Sequence, residues 1–160
     1  MITCRSVRCL VLMALVSVLL SSSASAESAR LDGYVTGTQE VALSTTLADG
    51  HVAKRITMSL TVVTDDQANP FNLASQDCVA TYIYDRDDKP IGGKGFCDGI
   101  SVDGHVWWLS IELRPDGIVN WKTLGGVGKF STLQGSGTTT VLAELPDGKV
   151  IGRFEGTYSN

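Results

Sequence analysis

Four Asp-Gly pairs punctuate this chain, at Asp49-Gly50, Asp103-Gly104, Asp116-Gly117 and Asp147-Gly148, and each separates runs rich in Val, Ile, Thr, Tyr and Trp. An Asp-Gly between alternating segments is a strong hairpin signal, because a two-residue type I′ turn needs positive φ at both central positions. β-branched and aromatic residues suit the pleated, half-buried surface on either side. The pattern predicts eight strands, near 33–47, 52–64, 76–85, 90–101, 105–114, 118–125, 136–145 and 149–158. One long connection, 65–74, contains Asn69-Pro70. Without a crossover helix, eight short strands in up-and-down order predict a closed antiparallel barrel in preference to a sandwich. Closure removes exposed sheet edges, and eight strands enclose room for packed side chains or for one small ligand.

The N-terminus reads differently. Arg5 and Arg8 precede an apolar run from Leu10 to Leu20, and Ala24-Ser25-Ala26 supplies a small-x-small cleavage pattern. The run is shorter than the roughly 20 residues of a spanning helix. Residues 1–26 are therefore expected to be a signal peptide, residues 27–160 a single domain, and the product secreted or periplasmic. The chain has 17 acidic and 13 basic residues, and two of the basic ones lie in the leader. That balance argues against nucleic acid and against anionic membranes as partners. Of four cysteines, Cys78 and Cys97 remain after cleavage, and an even pair in an oxidising compartment predicts a disulfide.

Strand registry carries the rest. With Asp49-Gly50 as a two-residue corner, Leu43 faces Ile56, Val41 faces Met58 and Gln39 faces Leu60, while Glu40 and Ser44 fall on a polar face. With Asp87-Asp88 as the next corner, Cys78 lies opposite Cys97, within reach of a disulfide, although a bulge at Gly92-Gly93 would shift this pairing by one. With Asp103-Gly104 and Asp116-Gly117 as corners, Glu112 faces Gly95 and Trp121, and Ser110 faces Thr123. One surface then gathers Tyr82, Trp108, Ser110, Glu112 and Trp121 among Gly93, Gly95 and Gly99, and small residues beside large aromatics leave hollow space. If that surface lines the lumen, Glu112 is the candidate general acid or base, and Tyr82, Trp108, Ser110 and Trp121 are candidate ligand contacts. The alternative surface, with Val79, Ile83, Phe96, Ile100, Trp107, Leu109, Ile111 and Leu113, is equally entitled to be the core. The other face would then meet a subunit or a covering segment.

Several tempting motifs fail on their own terms. Leu124 to Lys129 suggests a phosphate loop, but Thr123 and Phe130 occupy positions that need Gly and Ser or Thr. His51 and His105 flank turns, and no further ligands join them, so no metal site is expected. Asp85, Asp87 and Asp88 lack the spacing and glycine of a calcium loop. No Ser-His-Asp set can be placed.

Gly125-Gly126-Val127-Gly128-Lys129-Phe130, followed by Gly135-Ser136-Gly137-Thr138, resembles the hairpin of the allene oxide cyclase and dirigent-like barrels. The closing Gly152-Arg153-Phe154-Glu155-Gly156-Thr157-Tyr158 is similar to the last strand of small bacterial members. The resemblance implies an eight-stranded barrel, often trimeric, with a mostly apolar lumen, working without metal or other cofactor. The shared glycines carry fold, and no catalytic residue of the plant enzymes maps onto this chain. Three functions are therefore expected to compete. They are a binder of a small apolar molecule, a cofactor-free cyclase or isomerase using Glu112, and a structural or interaction barrel with a filled core.

Overall fold

The computed structural model describes residues 28–160, and the expected signal peptide over 1–26 lies outside the described residues. Nine strands form one sheet. They are β1 (Ala29–Arg30), β2 (Gly33–Thr46), β3 (Val52–Thr64), β4 (Ser75–Tyr84), β5 (Pro90–Ile100), β6 (Val106–Leu113), β7 (Val119–Gly126), β8 (Gln134–Glu144) and β9 (Lys149–Ser159). Each strand from β2 to β9 pairs antiparallel with the next, and β9 returns to β2, so eight strands close the barrel. The two-residue β1 extends β2's side of the sheet along β9. The expected all-β, up-and-down closed barrel is thus the observed one, and the predicted strand limits differ from the observed limits by about two residues at most.

The corners are built otherwise than expected. At the first, the Leu47 N–H donates to the His51 carbonyl and the Gly50 N–H donates to the Leu47 carbonyl, so three residues, Ala48 to Gly50, link the strands. The same two bonds recur at 101–105, 114–118 and 145–149, with Gly104, Gly117 and Gly148 at φ near +80°. None of the four aspartates has positive φ among the described residues. This is a type I turn closed by a left-handed glycine, the three-residue hairpin, in place of the two-residue type I′ corner. Aspartate earns its place by side-chain bonding two residues ahead, as Asp49 Oδ1 accepts from the His51 N–H at 3.1 Å and Asp116 Oδ1 from the Ile118 N–H at 3.2 Å. The Asp85–Lys89 corner follows the same scheme, with Asp88 itself left-handed at φ 62°.

One extra residue per corner shifts each register by one. Leu43 pairs with Arg55 in place of Ile56, and Val41 with Ile56 after a bulge at Ala42. Gly95 pairs with Ile111, and Ile111 with Trp121, where Glu112 was expected. Trp108 nevertheless pairs with Gly125, the partner that a two-residue Asp116-Gly117 corner would give it, because a bulge at Leu124 makes up the difference. Cys78 still faces Cys97, for a compensating reason. The longer Asp85–Lys89 corner is offset by a bulge at Ile91, and the two cysteines form the expected disulfide with Cα atoms 4.0 Å apart.

Since side chains alternate along a strand, a slip of one residue reverses the faces. Trp107, Leu109, Ile111 and Leu113 point into the barrel, together with Cys78, Ala80 and Tyr82 of β4 and Trp121 of β7. Val79, Phe96 and Trp108 lie outside, exposed. The two surfaces proposed from sequence were therefore each a mixture of inner and outer residues.

Candidate functional site: the barrel lumen

The two ends of the barrel differ. One end carries the tight corners at 47–50, 85–89, 114–118 and 145–148. The other carries the longer 65–74 segment, the 101–105 corner and a single 3-10 turn, Gly128–Phe130, between β7 and β8.

Aromatic residues stop the loop end. Phe71, from the long connection, stacks on Phe130 at 4.8 Å between ring centroids and meets Trp107 and Tyr158 edge-on at 5.0 and 5.2 Å. Phe130 and Ala74 are wholly buried, and Leu31 and Leu133 pack beside them. The glycine-rich 125–130 stretch delivers Phe130 into this plug. Glycines of the wall make room for rings rather than for a void. A Cβ on Gly99 would collide with the Trp107 indole, and one on Gly137 or Gly156 with that of Trp121. The residual space here is about 70 Å³, which holds a water or two at most.

The hairpin end is hollow. A cavity of about 500 Å³ lies between Ile56, Met58 and Leu60 of β3, Ile111 and Leu113 of β6, and Val119, Val141 and Val150 of β7 to β9. The Cys78–Cys97 bridge lines its wall. An eight-stranded barrel can be filled by side chains or can hold one small ligand, and in this half the lining chains leave the space open. At the mouth stand Lys54, Tyr84, Asp116 and Glu144. The Lys54 ammonium bonds Asp88 at 2.6 Å and lies 4.3 Å from the Tyr84 ring centre. Burial pushes the Tyr84 hydroxyl above its ordinary pKa, aided by the negative charges of Glu144 and Asp88.

Tyr82 stands within the same cavity, 7 % exposed, its ring laid against Gly93 of the neighbouring strand. Burial raises its pKa well above the usual phenol value, so it stays protonated.

The sequence-derived candidates divide between the two faces. Tyr82 and Trp121 are inside, Tyr82 in the hollow half and Trp121 lining the narrow remnant below it. Glu112 is outside, with its side chain 54 % exposed and its carboxylate 3.6 Å from the Lys94 ammonium. Trp108 is outside at 42 % exposure, and Ser110 turns its hydroxyl to the Lys122 carbonyl at 3.4 Å. These three do not face the lumen, because the corners contain three residues and not two. Sequence reasoning also missed the plug residues Phe71 and Phe130. Phe71, directly after Asn69-Pro70 and the one aromatic residue of the 65–74 connection, was the available signal.

The remaining polar clusters are local. His51 Nδ1 lies 3.0 Å from Asp49, and His105 Nδ1 accepts from the Lys129 N–H at 3.4 Å. Asp85 Oδ1 accepts from the Asp87 and Lys89 N–H groups, each at 2.9 Å, so the aspartate run forms a hairpin tip. Among the described residues, no group of three or more His, Cys, Asp or Glu side chains could hold a metal ion.

No protein-family model matches the chain, and no curated protein matches its sequence. Solved structures do. The barrel is similar to the pterocarpan synthase dirigent protein GePTS1, with a TM-score of 0.52 and 10 % identity, over 83 % of this chain and 90 % of that one. It is likewise similar to the pterocarpan synthase dirigent protein PsPTS1, with a TM-score of 0.53 and 11 % identity, over 84 % of this chain and 96 % of that one. At such identity the likeness is one of fold, and the fold is that of the dirigent-like barrels.

Proposed function

We propose that this protein is an exported barrel that binds one small apolar molecule in the hairpin half of its lumen. The observation that carries the reading is the 500 Å³ cavity, whose size falls in the range of small-molecule sites and whose wall joins aliphatic side chains to a few polar ones, among them Gln39, Gln76, Thr139 and Thr140. Apolar contact supplies affinity at about 25 cal/mol for each Å² removed from water. Export agrees with the leader-like N-terminus and with the buried disulfide, which persists in oxidising compartments.

Two features favour binding over the competing readings. A filled-core structural barrel has no use for a hollow half. A cyclase or isomerase with Glu112 as proton handler would need that carboxylate inside, and it stands outside beside Lys94. The outer strip of Val79, Phe96 and Trp108 supports a homo-oligomer, with the trimer implied by the resemblance as the first form to seek by light scattering.

Titration with the neutral apolar dye N-phenyl-1-naphthylamine tests the binding function. Saturable fluorescence enhancement at one site per barrel, reversed by a non-fluorescent apolar competitor, is the expected result. Absence of saturable binding overturns the reading.

A further inference from the structure

Resting on the lumen-binding reading, we infer that the ligand is not anionic and carries a hydrogen-bond acceptor, a carbonyl or ether oxygen, that meets the Tyr82 hydroxyl inside the barrel. Tyr82 is more than nine-tenths buried and faces the cavity. No hydrogen bond joins its hydroxyl to another described residue. Among the described residues no buried side-chain polar atom is sealed away without a partner, so the phenol oxygen opens onto the cavity space. The ring lies against Gly93, where a Cβ would come within 2.8 Å of it. Gly93 has φ +151°, which other residues rarely adopt, so the seat under the ring is specified by sequence.

A buried hydroxyl left without a partner costs roughly 1–3 kcal/mol, and a ligand that displaces its water must replace the lost bond. A protonated phenol does so as a donor, which calls for an acceptor on the ligand. Charge at the mouth selects further. The lining residues include Glu144 and Asp116, the latter paired with Arg114 outside the lining, while the one lining cation, Lys54, is already held by Asp88 at 2.6 Å. An anionic head group would therefore meet carboxylates at the rim and no free cation among the lining residues. A neutral ketone or ether has neither difficulty.

The test compares 2-acetylnaphthalene with 2-ethylnaphthalene, two probes of nearly equal shape that differ in the carbonyl, on the wild-type protein and on Tyr82→Phe. Tyr82→Phe keeps the ring over Gly93 and removes only the hydroxyl. The ratio of ketone to hydrocarbon affinity is expected to fall about tenfold from the wild type to Tyr82→Phe, because the variant cannot replace the bond to water that the carbonyl loses on entry. Hydrocarbon affinity in the variant equal to or above that of the wild type serves as the check that the pocket is intact, because the variant lacks the hydroxyl that the hydrocarbon would leave unpaired. If both probes bind and Tyr82→Phe leaves their ratio unaltered, the acceptor inference is overturned while the pocket reading stands. If neither probe binds the wild type, the pocket reading falls and takes the inference with it.

Discussion

The loop end and the hairpin end of this barrel are made from the same eight strands and yet differ in what fills them. At the loop end, segments outside the strands reach back over the opening and insert rings, with Phe71 from the long connection and Phe130 from the 3-10 turn meeting Trp107 between them. At the hairpin end every connection is a tight corner, too short to reach the axis, and the space stays open. Connection length therefore decides which half is core and which is pocket. The ends also differ in what holds them. Packing dominates at the plug, whereas a disulfide and the Lys54–Asp88 pair brace the hollow wall and rim.

The contrast breaks first if the plug does not behave as core. Phe130→Ala is expected to cost about 3–5 kcal/mol in urea denaturation, the usual range for a fully buried Phe. A loss under about 1 kcal/mol would mean that the loop end is not packed as described. Next in size is the disulfide, which spans 19 residues and should contribute on the order of 3 kcal/mol. Paired Cys78→Ala and Cys97→Ala substitutions test it, and an unfolding midpoint that does not move would remove the brace from the account. Met58→Ala, at the edge of the cavity, should cost only about 1 kcal/mol, because much of the surface it leaves already faces open space.

A smaller effect concerns pH. Lys129, and after it Ser101, hold the Asp103 carboxyl at about 2, below its ordinary 3.8. A folded-state pKa below the unfolded one gives stability that is complete above the ordinary value and is lost as pH falls from about 4 to about 2. The melting temperature of Asp103→Asn should accordingly lie below that of the wild type at pH 6 and converge with it near pH 2. A gap that persists at pH 2 would assign the effect to something other than this charge. Smallest of all, Glu112→Gln should leave dye affinity unchanged within about twofold, and a larger loss would return that carboxylate to the site.

Much of the fold was legible because local chemistry settles it. Asp-Gly marks a corner whichever hairpin type forms, so strand count, order and limits survive the wrong turn. The site was less legible, since its make-up depends on registry, where an error of one residue exchanges inside for outside. Aspartate tolerates left-handed φ but does not require it, and here its side chain is better used bonding the N–H two residues ahead. A cue to the true register did exist. Three-residue corners place Glu112 between Lys94 and Asn120, an opposite charge and a polar neighbour, whereas two-residue corners place it against Gly95 and Trp121. The disulfide was found despite the slip because the bulge at Ile91 cancels it. The adjacent Gly92-Gly93 pair was the local signal for a bulge, but nothing in Ile91, a good strand former, marks it as the extra residue.

Filling the hollow half tests the difference between the two ends most directly. Met58 faces the lumen opposite Cys78, and Met58→Trp should place an indole in the open space without disturbing the plug. A folded variant whose melting temperature is near that of the wild type and whose saturable N-phenyl-1-naphthylamine binding is lost is the expected result. Undiminished dye binding by the folded Met58→Trp protein would contradict the assignment, because the dye would then be binding somewhere other than this lumen.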